Sequence, residues 1–183
     1  DDLLSKKIIQ SKYELLSSYN LLSDRFDKFS ETQKKILIIP AFITNKDRQE
    51  IHNKIKYYSQ ILEQQEDVVT QFKIENSIIK NSLSYLPVLM NDLHTNLSYQ
   101  NWDPNLVLTI DEILQSLILY NMTSDSHLVP VINSKIARLK QLQAQKKLGS
   151  QDILTNAIIT HGTLILEHKT RLDELTQQLH NLN

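Results

Sequence analysis

The chain has 183 residues, with 20 Lys and Arg against 21 Asp and Glu, and its net charge is −1. That balance excludes a strong electrostatic draw to nucleic acid, which needs a basic excess or stripe. With 2 glycines and 4 prolines the chain is poorly equipped for the turns of a sheet, and its lack of cysteine fits an oxidising compartment without demanding one.

Leu, Ile, Lys, Gln and Glu are plentiful, as long helices require. The expected fold is all-α, an elongated bundle of long antiparallel helices; two stacked bundle modules are the alternative arrangement. The first predicted helix runs from about Asp2 to Phe29, with Leu15, Tyr19, Leu22, Phe26 and Phe29 in alternating four-three steps. Ser30 then reads as the N-cap of a short further piece, with Gln33 in the capping-box position and Pro40 as its stop.

A long helix is expected to start near Asn45 or Asp47 and to continue toward Leu97. Its seam is Phe72, Asn76, Ile79, Leu83, Leu86, Met90, Leu93 and Leu97. Pro87 lies inside that run and predicts a kink or a division. Ser98 to Asp103 reads as a loop, with Asp103 as cap and Pro104 in the first turn of a helix reaching about Met122. Thr123 to His127 is a polar break, followed by a helix from Val129 or Pro130 to Lys147. Gly149 suits a C′ residue and Ser150 an N-cap.

The last helix, Gln151 to Leu182, carries a heptad seam of Ile158, His161, Ile165, His168, Leu172, Leu175, Leu179 and Leu182. There is also an internal echo. Leu16, Tyr19, Asn20, Ser23 and Asp24 recur at the same spacing as Leu117, Tyr120, Asn121, Ser124 and Asp125, which fits a duplicated helical module.

The longest apolar stretch, Ile36 to Ile43, is interrupted by Pro40, whereas crossing a bilayer takes roughly 20 apolar residues. The first residue is Asp1, no signal peptide is visible, and the helical pattern is still running near Asn183. A piece of a longer protein is therefore expected. No linker divides the chain, which reads as a single domain over residues 1–183.

No phosphate loop, Gly-flanked nucleophile or His-Glu-x-x-His helix is present, so an enzyme and a cofactor are not expected of this fragment. Glu167-His168-Lys169 lacks the acidic residue and Pro expected after a phosphoacceptor His. His161 and His168 are two turns apart, about 10 Å, too far to share one metal easily. Asn96-Leu97-Ser98 and Asn121-Met122-Thr123 match the short, nonspecific glycosylation sequon.

Polar residues on apolar seams carry more information: Tyr19, Asn76, His161 and His168. Each can be a hydrogen-bonded core residue that sets helix register, and this is the commoner outcome. Alternatively they line a cavity between helices, where bundles hold ligands. For the two histidines pH sensing is a third reading, since imidazole titrates near neutrality. The candidate ligand-binding residues are Tyr19, Asn76, Asn81, Tyr85 and His161.

The run Phe72-Lys73-Ile74-Glu75-Asn76-Ser77-Ile78-Ile79-Lys80-Asn81-Ser82-Leu83-Ser84-Tyr85-Leu86-Pro87 resembles a signature of the double all-helical ligand-binding (DAHL) sensor domain of bacterial histidine kinases and related receptors. Leu15 to Leu22 is similar to that family's N-terminal run, with Asn20-Leu21 where Asp-Pro is common. His161 to Asp173 resembles its membrane-proximal closing helix. The resemblance implies a periplasmic domain held between two transmembrane helices and coupled to a cytoplasmic output. It implies an unknown small-molecule ligand or a periplasmic partner protein, and a homodimer in the full-length receptor is a further expectation. Both termini would then lie at one end of the bundle. The competing expectation is a structural or scaffolding bundle that mediates protein contacts.

Overall fold

The computed structural model describes residues 20–36, 38–40, 42–95, 103–145 and 151–181. Within them the chain forms five α-helices and no strand: α1 (Asn20–Ile36), α2 (Asn45–Thr95), α3 (Pro104–Thr123), α4 (Leu128–Gln145) and α5 (Gln151–Asn181). The all-α class expected from the scarcity of glycine and the three-four seams is the class observed. Residues 2–19, the loop 98–102, Gly149, Ser150 and both chain ends lie outside the described residues.

Two compact units divide the chain, one made of Asp1–Ile74 with Leu172–Asn183, the other of Glu75–Arg171. Helices α2 and α5 supply residues to both.

In the first unit α1 continues through Ser30 to Ile36, so the break predicted there does not occur. Ser30 is exposed and its turn is one of an uninterrupted helix; a capping-box pattern acts only where the preceding residue has already left helical geometry. The start of α2 is built by Thr44 instead. Its hydroxyl accepts the Asp47 N–H at 3.3 Å and donates to the Asp47 carboxylate at 2.6 Å. Gln33 of α1 donates to Ser59 of α2, whose hydroxyl donates on to the Ile55 carbonyl at 2.7 Å. Val69, Phe72, Leu172, Leu175 and Leu179 are buried in this unit.

Of the internal echo, Asn20, Ser23 and Asp24 lie within α1, which runs on to Ile36, and Leu16 and Tyr19 lie outside the described residues. Ser124, the counterpart of Ser23, ends α3 in the left-handed conformation with φ 53°, its N–H donating to the Tyr120 carbonyl at 2.9 Å.

The second unit holds a core drawn from four helices: Leu86, Leu89 and Leu93 of α2, Ile110, Ile113 and Leu117 of α3, Ile132, Ile136 and Leu139 of α4, and Leu154, Ile158 and Ile165 of α5. Pro87 does not divide α2, which continues to Thr95. A helix-interior proline costs about 3 kcal/mol. The buried Leu86, Leu89 and Leu93 on either side offset that cost through packing. Asp103 caps α3 by accepting the Asn105 N–H at 2.9 Å, and Pro104 opens the helix. Helices α3 and α4 pack antiparallel across the short Ser124–His127 connection. Gly162 lets α5 approach both, for a Cβ there would stand 3.2 Å from Ile136 Cδ1 and 3.4 Å from Leu117 Cδ1.

Candidate functional site

Helix periodicity puts Asn76, Ile79 and Leu86 of α2 on its buried face, with Glu75 and Tyr85 at the margins of that face. On α5 the buried Ile158 and Ile165 are accompanied by His161 and His168, both half-buried. Two cross-helix contacts join these margins. Near one end of the second unit Glu75 Oε2 is hydrogen-bonded to His168 Nδ1, and Arg171 stands 3.9 Å from the other carboxylate oxygen. Further along, the Tyr85 and His161 rings meet with centroids 4.9 Å apart and planes tilted by 45°. Ten residues separate the two contacts on α2 and seven on α5, in opposite chain order, so the strip runs along an antiparallel helix pair.

Asn76 is buried between the two contacts, 2% exposed, as its seam position predicts. An unpaired amide there would cost about 1–3 kcal/mol; neither Asn76 nor the equally buried Lys169 is without a partner. The polar floor of the strip is satisfied.

His161 differs. Its Nδ1 is shielded from solvent and has no hydrogen-bond partner among the described residues. Burial pulls its pKa below the ordinary 6.5, so the ring is neutral at physiological pH. A neutral imidazole offers one donor and one acceptor nitrogen and asks for no counter-charge. Tyr85, 43% exposed, keeps much of its ring open to solvent beside it. The pair can stack a flat apolar group, and the imidazole can exchange a hydrogen bond with it after a small ring rotation.

Of the candidate residues, the structure thus brings Tyr85 and His161 together and puts Asn76 in the adjacent core. Asn81 is exposed, its backbone carbonyl accepting from Ser84 at 2.9 Å, and it does not join the ring pair. Tyr19 lies outside the described residues. Sequence reading missed Glu75 and Arg171, because nothing in a helical period says which acid meets a histidine 93 positions away. It also missed the buried stripe Thr155, Gly162 and Lys169, although their seven-residue spacing runs beside the seam. Among the described residues no three His, Asp or Glu side chains are grouped to hold a metal ion.

Fold and strip together define an all-helical domain with polar and aromatic side chains between packed helices, the kind of place where bundles can hold ligands. The chain belongs to the DAHL domain family, whose model matches residues 1–183. That family is a sensor-type, ligand-binding one. No curated protein and no solved structure matches the chain significantly.

Proposed function

We propose that this chain is the periplasmic ligand-sensing part of a transmembrane signalling receptor, with a histidine kinase as the parent. The family match over residues 1–183 carries the reading. None of the described helices is long and apolar enough to cross a membrane, and the reading places the spans in the parent outside them. A small molecule or a periplasmic partner protein engages the strip around Tyr85 and His161. Binding biases two arrangements of α5 relative to the first helix, by no more than its differential affinity for them. Narrow apolar seams permit such sliding without exposing a broad core face.

The test uses the full-length protein in its own cell. Its sequence is expected to carry an apolar span of roughly 20 residues on each side of this domain. In intact spheroplasts, protease added from outside is expected to digest the domain. A domain protected until the inner membrane is lysed overturns the periplasmic placement.

A further inference from the structure

Helix α3 is apolar on two sides. Ile110, Ile113, Leu114 and Leu117 form its buried side. Stepping at 100° per residue puts Leu108, Gln115, Leu119 and Met122 on the opposite side, with Ile118 at its margin. The four apolar members of that outer stripe are 57%, 39%, 49% and 70% exposed. A helix that is apolar all round normally has both sides covered. Exposed apolar side chains that are grouped, as Ile118, Leu119 and Met122 are here, mark an interaction site.

Charge on the same face is partitioned by helix. The charged residues of α3 are Asp111 and Glu112, both acidic; those on the edge of α4 that borders α3 are Lys135 and Arg138, both basic, while Lys140 lies on the other side of that helix. Within one chain Glu112 meets Lys135 at 3.4 Å, which sets Lys135 on the edge of α4 that borders α3. Val131 and Arg138 lie four residues before and three after Lys135 and so share that edge, and Val131 is 43% exposed.

We propose that this face is covered by the same face of a second copy of the chain, with α3 of each lying on α4 of the other. A two-fold axis running along the helices makes the contact self-complementary. It opposes α3 to the partner's α4 in the antiparallel sense that the two helices already have within one chain. Acidic α3 then faces basic α4 twice, while the apolar stripe meets the Val131 edge. Docking α3 on α3 about the same axis would instead set Asp111 and Glu112 against their own copies.

Sedimentation equilibrium of the 183-residue chain tests this, with circular dichroism confirming that each variant folds. The wild type is expected to dimerise, and Leu119→Glu and Met122→Glu are each expected to raise the dimer Kd about tenfold or more. Glu112→Lys and Arg138→Glu are each expected to weaken the dimer alone. Mixed in equal amounts they restore it as a heterodimer, since Lys at 112 of one copy then faces Glu at 138 of the other. A wild type that stays monomeric at near-millimolar concentration overturns the proposal, as does a dimer indifferent to both apolar-stripe substitutions. Failure of the mixture to recover overturns it too. A monomer that sediments with phosphatidylcholine vesicles assigns the face to lipid and has the same consequence.

Discussion

At the scale of single residues, His161 links burial to pH. Its imidazole titrates at 6.5 when unperturbed and lower in the fold, because burial disfavours the cation. Below 6.5 the unfolded chain takes up a proton that the folded chain resists, so this contribution makes stability fall as pH drops from 6.5 toward the folded pKa. His161→Gln is expected to flatten the loss of urea stability between neutral pH and about pH 5; an unchanged slope would remove burial as the cause. Thr155 gives a second expectation. Thr109, Thr163, Thr170 and Thr176 each donate to the carbonyl four residues back, but the fully buried Thr155 hydroxyl has no partner among the described residues. Thr155→Val removes an uncompensated polar atom, and a gain of up to about 1–3 kcal/mol in urea unfolding is expected. At Gly162 the Cβ contact of 3.2 Å falls on a flexible isoleucine end, and Ala also favours helix. Gly162→Ala is therefore expected to stay within about 1 kcal/mol of the wild type, while Gly162→Leu overpacks the core by about 1–3 kcal/mol, read as a fall in the thermal midpoint.

At the scale of elements, what the sequence discloses depends on whether a local signal decides the outcome. Asp103-Pro104 does: a cap and a preset φ act within one turn, and α3 starts there. Asp103→Ala is expected to cost about 1 kcal/mol, seen as a lower thermal midpoint. Pro87 and Ser30 do not. Their local preferences for a kink and a new start are overridden, at Pro87 by leucines buried on either side and at Ser30 by a helix already under way. Pro87→Ala is accordingly expected to raise stability, up to about 3 kcal/mol, and no gain in urea unfolding would mean that α2 has relaxed around the proline. Seam periodicity located Asn76, His161 and His168 well, since burial follows the 3.6-residue period. It could not pair Tyr85 with His161 or Glu75 with His168, because partners across helices depend on relative height and rotation, which no single helix encodes.

At the scale of the molecule, two units share α2 and α5, and the ring pair lies in the unit formed by Glu75–Arg171. A ligand that stabilises this unit is felt by the same two helices that continue into the other. Binding to the native state raises the unfolding midpoint by mass action, so a thermal-shift screen of small metabolites identifies ligands whatever their chemistry. The decisive measurement is calorimetric titration of a ligand found in that way into the wild type, Tyr85→Ala and His161→Ala. If the strip is the sensing site, each substitution weakens binding about tenfold or more while helical content stays unchanged. Undiminished affinity in both folded variants would contradict that assignment.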